Sequence, residues 1–402
     1  MKAAIMGYGI VGGGIAKVLT ENKSKVKQIL GEECELGYIL DLRDFPEDPY
    51  GDRVVRSLDE ILADKEVRVI CETMGGLKPA YEYTKRILQQ GISVCTSNKE
   101  LVAAHGAELL TIAKDHNCSY LFEASVGGGI PLLRPFSTTL MHERIDRVTG
   151  VLNGTTNYML SCMQKGDTFD MALTRAQQKG YAEKDPTADI EGHDACRKIA
   201  ILGSLAGGAR VNTDDVQTEG ITKLTEQDFE YARCNDYTIK LVAEAKLEGG
   251  AVGAVVAPFL VPMSHALASV NGVFNACIVH GNMLGDVMFY GQGAGRDATA
   301  SAVVSDMIDA LLHDGEHVFV NLSAVPALRM DDLQMTHRFF VRVDESEKAK
   351  AVKTFGEDIS FVEARGVFGE WAFITAPMSE ADFAAALKSL DEVRGYLRVL
   401  EA

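Results

Sequence analysis

The residues most able to do chemistry lie between Gly180 and Lys198, in Gly180-Tyr-Ala-Glu-Lys-Asp-Pro-Thr-Ala-Asp-Ile-Glu-Gly-His-Asp-Ala-Cys-Arg-Lys198. Glu183, Asp185, Asp189, Glu191 and Asp194 supply carboxylates, and Arg197 and Lys198 close the stretch as cations. Pro186 and Thr187 mark a helix start, after which Ala195, Ile199, Leu202 and Ala206 recur at helical spacing. Asp194 and Lys198 then stand one turn apart, beside the apolar face. An Asp/Lys pair on a helix surface is by itself worth only about 0.2–0.5 kcal/mol. The loop upstream, however, brings Glu183 and Asp189 towards the same helix start. Carboxylates gathered around an amine suit a small zwitterionic substrate and a lysine that donates a proton.

Such a site needs a scaffold and a partner reagent, and the first third of the chain supplies both. Lys2–Met6 reads as a strand, Gly7-Tyr-Gly9-Ile-Val-Gly12 follows at once, and Ile15–Leu30 is apolar-periodic. Strand, G-x-G-x-x-G and helix in that order predict a dinucleotide fold. Gly7 permits the turn, Gly9 admits the pyrophosphate and Gly12 lets helix pack on strand. Ile10 and Val11 complete a loop whose helix N-terminus favours phosphate. A second strand, Leu36–Leu40, ends at Asp41, placed to bind a ribose 2′-OH and to favour NAD. Arg43, two residues on, offers a 2′-phosphate a partner and admits NADP.

Val67–Cys71 and Ile92–Thr96 read as buried parallel strands, with a helix at about Pro79–Gln90 between them. The latter strand runs into Ser97-Asn98-Lys99, so Ser97 and Lys99 fall where open α/β sheets bind ligands. A further strand, Ser119–Glu123, precedes Val126-Gly-Gly-Gly-Ile-Pro131. That loop exposes carbonyls able to hold a cation, or serves as a hinge; the sequence by itself favours the hinge. Pro131–Met141 is expected to be helical and Arg147–Leu152 to be a strand. Leu152-Asn-Gly-Thr-Thr-Asn-Tyr158 opens another helix with small polar residues, Thr155 among them, suited to a ligand. Gly291-Gln-Gly293-Ala-Gly295 introduces a helix at Ala300–Leu312. After an expected linker at Leu328–Met335, the segments from Arg338 to Leu400 spell βαββαβ, with sheet edges that invite a second copy.

Bulk properties narrow the possibilities. A chain of 402 residues exceeds one core. Its formal charge of -17 argues against nucleic acid or an anionic membrane as partner. Eight cysteines without metal spacing read as reduced thiols. Without a membrane-length apolar run, the protein is expected in the cytoplasm.

Taken in order, the motifs resemble homoserine dehydrogenase over essentially the whole chain: Gly7-x-Gly9-x-x-Gly12, Thr96-Ser-Asn98-Lys99-Glu-Leu, Glu123-Ala-Ser-Val-Gly-Gly-Gly-Ile-Pro131, Leu152-Asn-Gly-Thr-Thr-Asn-Tyr158 and the Gly180–Lys198 stretch. The resemblance implies an α/β protein: a Rossmann-type NAD(P)-binding domain at 1–130, an α+β substrate and dimerisation domain at 131–327, and an ACT-like domain at 334–402. Helix 299–312 is expected to pack back on the first domain. The implied reaction interconverts L-homoserine and L-aspartate 4-semialdehyde with NADP or NAD, on the route to threonine and methionine. Lys198 and Lys99 become the candidate catalytic lysines. Glu183, Asp194, Asp189, Tyr181 and Thr155 become substrate contacts. Gly180 and Gly295 join the cofactor set. Glu123, Val126, Gly128 and Ile130 resemble a site for Na⁺ or K⁺. The type implied is monofunctional, with no kinase before residue 1, and a homodimer or homotetramer. The stretch Arg342-Val-Asp344-Glu-Ser-Glu-Lys lacks the Pro-Gly turn of amino-acid-binding ACT members, so weak inhibition by threonine is expected. Two other readings compete with this one: a reductase of a different amino-acid-derived aldehyde, and a non-catalytic NAD(P) sensor.

Overall fold

The computed structural model describes residues 1–331 and 334–401 and divides into two compact units. One comprises residues 1–144, 204–211 and 289–326; the other comprises 145–203, 212–288 and the chain from 327 onward.

The first unit is built on six parallel strands. From edge to edge they are Val54–Val55, Glu35–Leu40, Lys2–Met6, Val67–Glu72, Ser93–Thr96 and Tyr120–Leu121. This is the 3-2-1-4-5-6 order of dinucleotide-binding sheets. Ala3–Met6 and Val69–Cys71 are buried, as sheets covered on both faces require. The expected helix Ile15–Leu30 is in fact two, Ile10–Glu21 and Lys23–Leu30, broken at Asn22 (φ -101°, ψ 15°). The second piece buries only Val26, so little packing demands that it continue the first. Across the first helix lies Arg296–Leu312, close enough that a Cβ on Gly14 would meet the Cβ of Ala300 at 2.8 Å. Ile5, Ile15, Ile39, Val303 and Met307 share one core.

Two expected elements are shorter than their apolar patterns suggest. Ser119–Glu123 is a strand only at Tyr120–Leu121, followed by a 3₁₀ turn at Glu123–Ser125. Pro131–Met141 is a single helical turn, Arg134–Ser137, ended where Thr138 leaves helical geometry (φ -129°, ψ -88°).

The second unit carries one mixed sheet. Phe274–Gly281, Ile145–Val151, Tyr237–Glu248 and Ala251–Pro262 follow one another across it. The sheet continues through Val393–Val399, Thr336–Asp344, Glu370–Ile374 and Ser360–Val362, the strands of the C-terminal βαββαβ segment. One edge of that segment is therefore paired within the chain, Phe259 with Arg398 and Leu260 with Val399, not left open for a second copy. The stretch read as a linker is also docked. Leu328–Arg329 pairs with Ala251–Val252, and Met330 and Met335 are buried; residues 332 and 333 lie outside the described residues. Among the described residues no helix is long and apolar enough to cross a membrane.

Buried ions join the C-terminal segment to the rest of this sheet. His337 faces Glu380 through Nδ1 and Glu244 through Nε2, both at 2.8 Å. With a carboxylate at each nitrogen, both nitrogens donate and the ring is an imidazolium. Arg398 donates to both oxygens of Glu380 (2.7 and 2.8 Å) and meets Glu219 at 2.9 Å. Lys246 lies 3.8 Å from Glu244. Burial alone would lower the pKa of His337, but the hydrogen bonds to Glu244 and Glu380 outweigh it and raise the value. Burial raises Glu380, and the bonds from His337 and Arg398 bring it down to about 2. A histidine raised on folding stabilises fully below its unfolded pKa of about 6.5 and loses that contribution as pH climbs through its folded value. Urea unfolding of the wild type between pH 6 and 8 should therefore show stability falling with pH, with a shallower fall in His337→Phe. Identical slopes in the two proteins would remove His337 as the cause.

Candidate active site

In the first unit, the glycine loop has the geometry a pyrophosphate requires. Gly7 sits at φ +89°, where a Cβ would strike the Met74 backbone at 2.9 Å. A Cβ on Gly12 would strike the Gly7 carbonyl, whereas one on Gly9 would meet nothing within 4 Å. Gly9 is the N-cap of Ile10–Glu21, and the helix start has neither a side-chain cap nor an acidic residue in its first turn. First-turn N–H groups left without a side-chain cap fit a phosphate anion. Ile10 is exposed and Val11 half-buried at the same turn. Gly295, at φ +121°, is the N-cap of the helix that crosses Gly14.

Asp41 follows the second strand, and its carboxylate is fully engaged. It accepts the Tyr8 N–H at 2.7 Å, the Arg43 N–H at 3.0 Å and the Arg43 guanidinium at 3.0 and 2.9 Å. The hydrogen bond to Arg43 holds its pKa well below the carboxylate range. Arg43 is itself mostly exposed, and Arg56 donates to the carbonyls of Arg43 and Asp41. Two guanidinium groups thus cluster where the adenosine end of a dinucleotide lies in this fold.

At the ends of the next strands, Glu72 is buried. It accepts from Thr96 Oγ1 (2.6 Å) and the Met74 N–H (2.8 Å). Asn98 caps the helix Lys99–Asp115 through the Leu101 N–H and ties it to the Gly76 carbonyl. Ser97 and Lys99 are half-buried at this helix start.

The triple-glycine loop is tightly packed, which accounts for its glycines without a hinge. A Cβ on Gly128 would meet Gly293 at 2.7 Å, and one on Gly129 would meet Ala298 at 2.9 Å. The Glu123 carboxylate accepts the N–H groups of Leu132, Leu133 (2.8 Å) and Arg134 (2.6 Å), and so anchors the short helix after the loop. Among the described residues the backbone carbonyls of Val126, Gly128 and Ile130 accept no backbone N–H. Carbonyl oxygens of this kind suit a hard cation.

In the second unit, the acidic stretch resolves into a compact cluster. Thr187–Ile190 forms one turn, Gly192 (φ +82°) breaks it, and His193–Gly207 carries Asp194 and Lys198. Both side chains are buried, with Lys198 Nζ 2.7 Å from Asp194 Oδ2 and 2.7 Å from the Leu152 carbonyl. Asn153 binds the group together. Its amide donates to Asp189 (2.7 Å) and Asp194 (2.8 Å), while its carbonyl oxygen accepts the Thr156 N–H and caps Gly154–Met163. Burial raises the pKa of Asp189, the Asn153 bond opposes it, and the Asp194 charge adds to the rise.

The other members of the predicted set stand at the margin of this cluster. Thr155 Oγ1 donates to the Tyr181 carbonyl at 2.7 Å, and the Tyr181 ring packs edge-on to Tyr158. Gly180, at φ +72°, ends the helix Phe169–Gln178. Glu183 is exposed; its backbone carbonyl accepts from Gln177, and the structure does not join its side chain to Asn153 or Asp194. Two groups escaped the sequence reading. Asn153 carried a signal as the first polar residue of an N-capping motif. Lys240 carried none: it is a strand residue whose buried amine donates to Val270, Asn271 and Asn157, with its pKa pushed down by burial to about 8.

A dinucleotide-binding sheet in one unit and a buried carboxylate, amide and amine cluster in the other define a nicotinamide-dependent oxidoreductase. Comparison with known proteins agrees. The family model described as homoserine dehydrogenase matches residues 131–308, and that of the homoserine dehydrogenase NAD-binding domain matches residues 7–123. The homoserine dehydrogenase of Lactococcus lactis is 36% identical over 373 residues, 89% of this chain and 87% of the relative. The crystal structure of a homoserine dehydrogenase from Thiobacillus denitrificans superposes with a TM-score of 0.90 at 31% identity, covering 100% of this chain and 98% of that one. A hyperthermophilic archaeal homoserine dehydrogenase in complex with NADPH aligns at a TM-score of 0.67 and 29% identity, covering 77% of this chain and 97% of its own. The chain belongs to the homoserine dehydrogenase family.

Proposed function

We propose that the protein interconverts L-homoserine and L-aspartate 4-semialdehyde, with Lys198 as the proton donor in reduction and acceptor in oxidation. The observation that carries this is the Lys198 amine, held at 2.7 Å by both Asp194 and the Leu152 carbonyl. An ammonium has three protons; with two so engaged, one remains for a substrate oxygen. The nicotinamide supplies the hydride. As charge grows on the carbonyl oxygen, the Lys198 ammonium neutralises it, while Asp194 fixes the amine's position. Asp189 and Asn153, with Thr155 and Tyr181 beside them, orient the substrate, and Glu183 receives its ammonium. Lys99 acts from the nicotinamide side. The assay is absorbance at 340 nm with homoserine and either cofactor. Absence of turnover in folded protein would overturn the reading.

In this reading residues 1–130 bind the dinucleotide, 131–327 bind substrate and dimerise, and 334–402 form an ACT-like domain that responds weakly to threonine. The enzyme is a cytoplasmic homodimer or homotetramer. Gly7, Gly9, Ile10, Val11, Gly12, Ser97, Gly180 and Gly295 line the cofactor. The carbonyls of Val126, Gly128 and Ile130, with Glu123, take Na⁺ or K⁺.

For the adenosine end, Asp41 favours NAD and Arg43 admits NADP. Asp41→Ala should raise the NADP/NAD ratio of kcat/KM by about tenfold, or ~1.4 kcal/mol, by removing the negative charge facing a 2′-phosphate. Arg43→Ala should lower it. An unchanged ratio in both variants would exclude these residues from that end of the cofactor.

A further inference from the structure

In the first unit the strand order reverses between Lys2–Met6 and Val67–Glu72. Sheets of this kind bind ligands at that reversal, beyond the carboxyl ends of the strands. Glu72 is the last residue of its strand, at the foot of the loop Thr73–Gly76, and it is fully buried. Burial pushes its pKa up, and what opposes burial is hydrogen bonding from Thr96, Met74, Gly75 and Asn98, not a neighbouring cation. A buried carboxylate without a cation is costly to keep. No step of the proposed reaction employs it.

The carboxylate joins two loops. On one side Oε1 accepts the Met74 N–H at 2.8 Å. The Met74 backbone packs on Gly7 of the phosphate loop, where a Cβ would come within 2.9 Å of it. Thr73 Oγ1 donates to the Gly7 carbonyl at 2.7 Å. On the other side Oε2 accepts the Thr96 hydroxyl at 2.6 Å, and Thr96 Oγ1 in turn accepts the Asn98 N–H at 2.9 Å. Asn98 is the cap of the helix Lys99–Asp115. The ring closes where the Asn98 amide donates to the Gly76 carbonyl at 2.6 Å.

Every tie in this ring ends on a backbone group or on the helix cap, so the loop and the helix start hold one relative position. Gly75 and Gly76 sit at φ +78° and +68°, and a Cβ on either would meet nothing within 4 Å. The loop is thus unobstructed at these two glycines, between the phosphate loop and the start of the Lys99 helix. Transfer reactions are sensitive to such placement, since an error of about 1 Å can cost about 10²-fold. An amide in place of the Glu72 carboxylate has one acceptor oxygen where two stood. One of the two loops would then lose its tie at nearly unchanged volume.

We propose that Glu72 is a positioning residue: its carboxylate binds the Thr73–Gly76 loop to the start of the Lys99 helix, and the two together seat the nicotinamide half of the dinucleotide. The placement of Lys99 on the nicotinamide side rests on the proposed reaction; the bonds around Glu72 stand without it. Binding and kinetics test the proposal separately. Full-length wild type, Glu72→Gln and Thr96→Val are titrated calorimetrically with NADPH and NADH. The same proteins are titrated with ADP-ribose, with and without a 2′-phosphate, which lacks the nicotinamide. Both variants should bind the dinucleotides about fivefold more weakly and the fragments within about twofold of wild type. For homoserine, kcat should fall about tenfold with KM within about twofold, and deuterium on the carbinol carbon should slow kcat more than in wild type. Thr96→Ser, which keeps the hydroxyl, should recover most of what Thr96→Val loses. Thermal unfolding identifies the variants that are folded. Fragments weakened as much as dinucleotides would make Glu72 a support of the whole fold and overturn the proposal. It fails equally if neither affinity changes, if KM moves and kcat does not, or if Thr96→Ser behaves as Thr96→Val. Absence of homoserine turnover in the wild type would instead overturn the functional reading, with the fragment comparison still deciding the role of Glu72.

Discussion

Lys198→Ala should lower kcat for homoserine by about 10²–10⁴-fold, the usual contribution of a positioned acid or base, while dinucleotide affinity changes little. The amine is buried and clamped by Asp194 and the Leu152 carbonyl, whereas the phosphate loop belongs to the other unit. Because Asp194 would then be buried without its cation, some loss of stability is also expected, and thermal unfolding must be recorded alongside. Lys198→Arg separates the two effects. A guanidinium can pair with Asp194 but holds its protons far above neutral pH, so this variant should regain stability and not turnover. Near wild-type turnover in either variant, with the fold intact, would remove Lys198 from the chemistry.

Arg398→Leu should cost about 3–5 kcal/mol of stability, since it strips the buried Glu380 carboxylate of its bidentate partner and leaves His337, already shared with Glu244, as its one remaining cation. Glu380 is 7% exposed and takes two hydrogen bonds from Arg398 at 2.8 Å or less beside the one from His337, and Glu219 loses the same guanidinium. Urea unfolding measures the loss. Adding Glu380→Leu should return part of it by removing the stranded charge. A loss below ~1 kcal/mol, the scale of a surface pair, would mean that water reaches Glu380 freely.

The sequence made some of this arrangement readable and concealed the rest, for identifiable reasons. Buried parallel strands such as Val67–Glu72 and Ser93–Thr96 read as apolar runs because both sheet faces are covered. The pairing of Asp194 with Lys198 was readable because helical spacing alone puts them together. The break at Asn22 and the single turn at Arg134–Ser137 were not, because apolar spacing continued past the points, Asn22 and Thr138, where backbone geometry ended the helix. Asn153 was visible as part of a motif, but its bridge between Asp189 and Asp194 depends on two loops meeting. The Glu219, Glu244, His337, Glu380 and Arg398 network had no local signal at all. Its members come from five separate segments, and each looks like an ordinary surface charge until the sheet is assembled.

The pairing of Phe259–Leu260 with Arg398–Val399 has a consequence for how the polypeptide is made. During synthesis, the strand Ala251–Pro262 leaves the ribosome long before the residues that cover the Phe259 end of its edge. Until Val393–Val399 arrives, a nascent chain carries an uncovered, mostly apolar strand end and a Glu219 without Arg398. Open edges of this type recruit other strands. Chains cut short near residue 390 should thus present that uncovered strand end to chaperones and proteases.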